Sequence, residues 1–362
     1  MRWQDQELAT EDPGALPGLG RLAGLVRSVR TPEFAGVTFH EVHAKSALNR
    51  VPGGSPMPFA WTVNPYRGCT HGCVYCFARK SHTYLELDAG HDFDTQIVVK
   101  TNVGSVLRKE VSSSRWAREH VAMGTNTDPY QRAEGRYRLM PEIIGALSDT
   151  GTPFSILTKG TVLARDLPLL AEAAQRVPVG IGVSLALVDP ELQATLEPGT
   201  PAPKARLELV RRIREAGLPC GVFVAPILPY LTDSSEQLHD LLRQLADAGA
   251  TGVTGIPLHL RPGAREWFFD WLRRTRPDLA GHYEKLYARG ANLPAEYRAE
   301  LSDRVRRISA EVGIGAGADG QLAGRNPARG VPGDRAASFP AGSLPTRATN
   351  QPADADRTPT LF

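Results

Sequence analysis

The chain has 362 residues, of which 41% are hydrophobic and 22% charged, with a formal net charge of +3. That composition suits a large buried core, and no apolar run approaches the ~20 residues a membrane helix needs. The basic excess tolerates a nucleic-acid partner without arguing for one. There are four cysteines, and Cys69, Cys73 and Cys76 fall together while Cys220 lies far away. A tight cluster in a long chain points to metal in a reducing compartment and away from a secreted disulfide framework. Residues 1–20 carry acids and lack the apolar stretch of a signal peptide, so the expectation is a soluble, cytoplasmic protein, taken as a monomer.

Residues 1–57 read as a leader, with a short strand at 38–42 and a Pro/Gly-rich turn at 51–56. From 58 to 262 one rhythm repeats, a β-branched run followed by an amphipathic stretch. Strands are predicted at 60–63, 96–100, 120–123, 154–158, 180–185, 221–227 and 252–258. Helices are predicted at 140–148, 166–176, 203–216 and 235–248. In the last of these Leu238, Leu241, Leu242 and Leu245 form one helical stripe behind the N-cap cluster Asp233-Ser234-Ser235. Gly217 and Gly249 stand where helix C-caps belong. Alternating strands and helices imply parallel pairing with right-handed crossovers. The expected fold is α/β, a partial or near-complete parallel (β/α) barrel of about six βα units with a C-terminal helical extension over 263–314. Residues 315–362 lose periodicity and read as a disordered tail.

The chemistry concentrates in Asn64-Pro65-Tyr66-Arg67-Gly68-Cys69-Thr70-His71-Gly72-Cys73-Val74-Tyr75-Cys76-Phe77-Ala78-Arg79. Its C-x3-C-x2-C spacing offers three thiolates on a loop that glycines allow to wrap tightly, and thiolates are the ordinary ligands of iron–sulfur clusters. Two other readings stand beside this one. His71 would complete a Cys3His zinc site, and Cys73 with Cys76 match a redox C-x-x-C that leaves Cys69 unexplained. Cys220, in an apolar run, reads as a small core residue.

The motif resembles the radical SAM superfamily, whose signature is C-x3-C-x-aromatic-C, with Tyr75 as the aromatic. The flanking residues, with 124–131, Glu134, 156–159, Arg165-Asp166, Ser184, Glu197-Pro198, Arg206 and 225–229, resemble its spore photoproduct lyase-like subgroup over roughly residues 36–275. The resemblance implies a [4Fe–4S] cluster on Cys69, Cys73 and Cys76 with one iron open to S-adenosylmethionine (SAM). Reductive cleavage of SAM then gives a 5′-deoxyadenosyl radical that takes hydrogen from a substrate, with a low-potential donor such as flavodoxin or ferredoxin supplying the electron. It further implies cofactor contacts from Tyr75, Phe77, Asn126, Thr127, Asp128, Lys159, Ser184 and Arg206. Catalytic or substrate-facing roles fall to Thr125, Tyr130 and Glu134, with His259 beside them. The resemblance breaks at Thr125, where photoproduct lyases carry a hydrogen-donating cysteine. Arg261, Arg265, Arg273, Arg274 and Arg276, with neighbouring aromatics, read either as a nucleic-acid contact or as a helical cap over the barrel. The rival to an enzyme is a non-catalytic iron–sulfur or zinc module.

Overall fold

The structure is a computed structural model that describes residues 24–53, 57–314 and 339–344. The strands are β1 (Leu25–Val29), β2 (Thr38–Val42), β3 (Leu48–Arg50), β4 (Trp61–Val63), β5 (Tyr66–Arg67), β6 (Gln96–Lys100), β7 (Val121–Met123), β8 (Phe154–Thr158), β9 (Val179–Ser184), β10 (Gly221–Ile227) and β11 (Gly252–Pro257). The helices are α1 (His91–Thr95), α2 (Val103–Val111), α3 (Arg132–Tyr137), α4 (Met140–Asp149), α5 (Leu167–Ala174), α6 (Pro190–Leu196), α7 (Pro203–Glu215), α8 (Ser235–Asp247), α9 (Ala264–Thr275), α10 (Pro277–Leu286) and α11 (Ala295–Glu311).

Six strands, β4, β7, β8, β9, β10 and β11, lie side by side in chain order and pair in parallel. Antiparallel β3 extends the β4 edge, and no pairing closes the sheet among the described residues. This is the partial barrel of about six βα units that the rhythm predicted. One strand belongs elsewhere. Residues 96–100 do form β6, but β6 lies in a separate four-stranded sheet, parallel to β2 and antiparallel to β5. Its buried Ile97, Val98 and Val99 suit any covered sheet, so pattern alone does not say which sheet it joins. The leader also contributes more than the one strand read at 38–42, since it holds β1, β2 and β3.

Local chemistry sets the helix ends. Ser234 accepts the Gln237 N–H at 3.1 Å while the Gln237 side chain reaches back to the Ser234 N–H, a full capping box before the buried leucine stripe of α8. Asp189 caps α6 by accepting from the N–H groups of Glu191 and Leu192, with Pro190 first in the helix. Gly217 and Gly249 follow α7 and α8 with φ of +77° and +84°, as helix stops require.

The main core lies between the barrel strands and α2, α4, α5, α7 and α8. A second core joins Cys73, Val74 and Tyr75 to Phe268, Phe269, Trp271, Tyr283 and Tyr287 of the helical extension. The extension therefore packs against the cysteine loop, its aromatics inward. Part of the tail is also ordered: residues 339–344, inside the stretch read as disordered, pack against the barrel, with Ser343 fully buried. The rest of that stretch lies outside the described residues. Among the described residues no helix is long and apolar enough to cross a membrane.

Candidate active site

The cysteine loop leaves the C-terminal end of β4, and the other predicted site residues follow the C-terminal ends of β7, β8 and β9. In parallel barrels this mouth is where loops from several strands converge. Gly68 and Gly72 take φ of +83° and +62°, which turns the loop back on itself. A Cβ on Gly68 would stand 2.9 Å from the His82 ring.

Three clasps hold the loop. The buried Gln131 side chain accepts the Thr70 N–H at 2.9 Å and donates to Gly68 O at 3.1 Å. The Cys69 and Val74 N–H groups donate to Phe93 O and Leu196 O, each at 3.0 Å. Arg79 is wholly buried and donates to the Cys73 carbonyl through both Nε (3.2 Å) and Nη2 (2.9 Å). The same guanidinium donates to Gly90 O at 2.8 Å, pairs with Asp94 at 3.0 Å, and lies 4.9 Å from the Trp267 ring and 5.3 Å from that of Phe93. Only a planar fork fills such a slot. Burial lifts the Asp94 carboxyl to about 6 even beside Arg79.

Cys69 and Cys73 are buried, Cys76 half-buried, and none is in a disulfide. Burial pushes all three thiols up, Cys73 to about 12, so bare thiols here are neutral, and bound metal cations would favour the thiolates. Among the described residues no group of three His, Cys, Asp or Glu side chains sits close enough to hold one metal ion. The cysteines fit a cluster on other grounds: thiolate donors suit iron, and each would bind a separate iron, so they need not meet at one point. His71, the candidate fourth zinc ligand, turns its Nδ1 toward Asp128 at 3.4 Å.

Beside the loop lies a buried polar network. Tyr75 donates its hydroxyl to Glu197, whose other oxygen pairs with Arg206 Nη2 at 2.6 Å; Arg206 Nη1 donates to Ser184 O at 3.1 Å. Lys159 donates to Ser184 Oγ at 3.1 Å and stands 5.9 Å from the centre of the Tyr75 ring. Burial works to lower Lys159, but Cys73 once it is a thiolate, and then the Glu197 and Asp128 carboxylates, outweigh it and hold the ammonium above its ordinary value. Burial likewise works against the Glu197 carboxylate, and Arg206 and Lys159 overcome it to keep the group below its usual range. Burial first, then Glu197, raises Tyr75 far above an ordinary phenol, so it remains a donor.

The structure brings Tyr75, Asp128, Lys159, Ser184 and Arg206 together. Asp128 accepts from Thr158 Oγ1 (2.5 Å) and from the N–H groups of Lys159 (2.6 Å) and Tyr130 (2.9 Å), so it orders the β7 and β8 loops together. Thr127 donates to Tyr66 O at 3.1 Å, and Asn126 is exposed. The Thr125 hydroxyl is buried and has no protein partner. Four expected positions make the following contacts within the chain. Phe77 points outward, 46% exposed, with the Arg261 guanidinium 5.6 Å from its ring. Arg206, read as opening a helix at a ligand, commits both terminal nitrogens to Glu197 and Ser184. Tyr130 and Glu134 are buried behind the mouth. Tyr130 donates to Asp166 at 3.1 Å, and Glu134 accepts from Tyr66 (2.5 Å), Arg165 (2.8 Å) and the N–H groups of Leu139 and Met140 at the start of α4. A carboxylate so fully engaged has little capacity left for a substrate.

Glu197, Arg79, Gln131 and Asp94 went unassigned in the sequence. The first three stand inside motifs quoted above, but a buried charge shows its role only beside its partner. The five arginines read as a possible nucleic-acid contact each meet a group of this chain: Arg261 the His259 ring, Arg265 Tyr287 O, Arg273 Glu284, Arg274 Asp270 and Arg276 Asp278.

A sequence profile described as the Radical SAM superfamily matches residues 63–242, which span the cysteine loop and most of the barrel. An uncharacterized protein of Mycobacterium tuberculosis is 61% identical over 315 residues, 86% of this chain and 92% of that one. Another, from Acidianus two-tailed virus, is 31% identical over 216 residues, 58% of this chain and 70% of its own. Among solved structures, spore photoproduct lyase complexed with dinucleoside spore photoproduct aligns with a TM-score of 0.56 at 18% identity, over 76% of this chain and 80% of that one. A variant of that lyase with bound AdoMet and the same photoproduct also gives 0.56 at 18% identity, over 76% and 79%. At that identity the likeness is one of fold, and with the matching profile, the cysteine loop and the six-stranded mouth it leads to one conclusion: the chain belongs to the radical SAM superfamily.

Proposed function

We propose that this chain is a radical SAM enzyme in which Cys69, Cys73 and Cys76 hold a [4Fe–4S] cluster. The observation that carries the reading is the placement of three free thiols on one clasped loop beside the largely buried Lys159–Ser184–Arg206–Glu197 network. When bound, cluster and SAM supply the electron transfer that cleaves SAM reductively and yields a radical able to take hydrogen from a substrate.

The chain's own part is binding and enclosure. Lys159 presents an ammonium fit for the SAM carboxylate, and Ser184 and Asp128 fix where it points. Thr125 supplies a hydroxyl with no other partner, the fitting position for a ligand or substrate contact. Tyr75 joins the loop to Glu197, and Arg206 keeps Glu197 ionised. We assign Tyr130 and Glu134 to positioning: they lock α3, α4 and the Arg165-Asp166 turn behind the mouth. The aromatic core beneath the helical extension keeps bulk water from this side of the loop. A flavodoxin- or ferredoxin-like donor would deliver the electron; nucleic acid is one substrate class consistent with the fold.

Anaerobic reconstitution tests this. The expected result is close to four irons and four sulfides per chain, and 5′-deoxyadenosine released from SAM under a strong reductant. Cys73→Ala should lose both while keeping its far-UV circular dichroism. Tightly held zinc with no SAM cleavage would replace this reading with a metal-binding module.

A further inference from the structure

The end of the barrel away from the cysteines is built around a row of missing side chains. Gly182 of β9, Gly221 of β10 and Gly252 of β11 stand in register across three adjacent parallel strands. Gly180 lies two residues before Gly182 on the same face of β9. Residues 339–344 lie against Gly180, Gly221 and Gly252. A Cβ on Gly252 would stand 2.5 Å from Ala341 O, one on Gly180 2.5 Å from the Phe339 ring and 2.7 Å from Ser343 Oγ, and one on Gly221 would collide with Ala341 O. Gly221 and Gly252 are therefore required by a close approach of the segment's backbone and Gly180 by its Phe339 and Ser343 side chains, a recurrent reason for glycine in a strand.

The segment is held by more than shape. Phe339 stacks on His120, ring centres 4.0 Å apart and planes 25° apart. Thr251 donates its hydroxyl to Gly342 O at 2.6 Å and accepts the Cys220 N–H at 2.8 Å, which ties the segment to the turn before β11. A turn closed by Ser343 N–H to Pro340 O at 3.0 Å gives the segment its hook. Beneath it, His120 Nε2 and Ser155 Oγ are 2.9 Å apart, while His120 Nδ1 and Ser343 Oγ are buried without a partner. Two unmatched polar atoms work against docking and keep the contact from being very tight.

We propose that the foot of the barrel is a peptide-binding slot whose occupant is the chain's own segment 339–344, a releasable plug anchored by Phe339. The connection over residues 315–338 reaches up to about 80 Å when extended, ample for the segment to find the slot of its own chain. The proposal is independent of the chemistry at the mouth.

A specific-protease site placed within 322–332 of the full chain allows the connection to be cut after folding. The expected result is that the released C-terminal fragment co-elutes with a body of monomer size on gel filtration. An excess of synthetic peptide spanning residues 336–347 should displace it. Phe339→Ala, which lies in the tail and leaves the barrel sequence intact, should weaken retention at least tenfold, and Gly221→Ala should do the same by filling the slot. Immediate separation of the unaltered fragment, retention insensitive to Phe339→Ala, or a dimer held by exchanged tails would each overturn the proposal.

Discussion

The two ends of this barrel solve opposite problems. The C-terminal mouth is crowded with ionisable groups drawn wholly or partly out of water: Glu197, Arg206 and Arg79 are fully buried, Lys159 and Asp128 half-buried. The N-terminal foot has glycines where residues 339–344 approach the strands, and one neutral imidazole, His120, stacks on Phe339. Buried ion pairs are poor sources of net stability, because desolvation offsets most of their attraction. Among the described residues the buried ion pairs gather at the mouth and not at the foot, so the mouth's charges serve its chemistry more than the fold's net stability.

The contrast breaks most sharply at Glu197 and Arg206, both fully buried. Removing one partner, as in Arg206→Met or Glu197→Gln, leaves an uncompensated group in the core and should cost about 3–5 kcal/mol in urea denaturation. Replacing both with apolar residues (Glu197→Leu with Arg206→Met) should recover much of that stability and still impair the mouth. A double variant as unstable as the sum of the singles would mean that the pair is structural, and the division of labour would fail.

At the foot the corresponding lever is pH. Burial lowers His120 from 6.5 to about 4. The unfolded chain therefore takes up this proton as pH falls through 6.5, while the folded chain resists until about 4. Stability from this group is full above 6.5 and declines as pH drops across that window, by up to about 3 kcal/mol. The measurement is the difference in stability between the unaltered chain and His120→Phe at pH 7.5 and pH 4.5. A difference that does not change with pH would remove His120 from the account.

Arg79 sharpens the mouth's side. Arg79→Lys retains the charge but loses the fork that meets Cys73 O twice and lies beside two rings, so a loss of about 2 kcal/mol is expected. On the proposed function the variant should also lose reconstituted iron faster under chelator than the unaltered protein. Equal iron retention would show that the loop does not depend on this clasp.

Different parts of this design were visible in the sequence to different degrees, for physical reasons. The parallel strands announce themselves because β8, β9 and β10 are covered on both faces and read as apolar runs, and α8 because its stripe and capping box are local. The cysteine trio is legible because spacing alone brings the ligands onto one loop. Sheet membership is not local, so β6 looked like a barrel strand until its pairing with β2 was seen. Arg206 and Glu197 are nine residues apart but lie on either side of a turn, and nothing in the order of residues says that they meet. Phe339 is one aromatic in a Pro-, Gly- and Ala-rich stretch, and its meaning depends on glycines more than eighty residues earlier. What a sequence conceals here is pairing across distance, at both ends of the barrel.

The smallest expected effect is also the most discriminating. Thr125 Oγ1 is buried at the mouth and meets no protein group, whereas neighbouring Thr127 and Thr158 have their hydroxyls bonded. An unbonded buried hydroxyl is a liability, so Thr125→Val should leave stability unchanged or raise it by up to about 1 kcal/mol. Thr127→Val, which removes a made bond to Tyr66 O, should lower stability by about 1 kcal/mol. If the Thr125 hydroxyl serves a ligand, its loss should cut substrate-dependent turnover of SAM at least tenfold without touching the fold. Stability and turnover would then move in different directions at Thr125 and together at Thr127. A Thr125→Val protein that is destabilised and fully active would place that hydroxyl in the scaffold, and would extend to the mouth the purely structural logic of the foot.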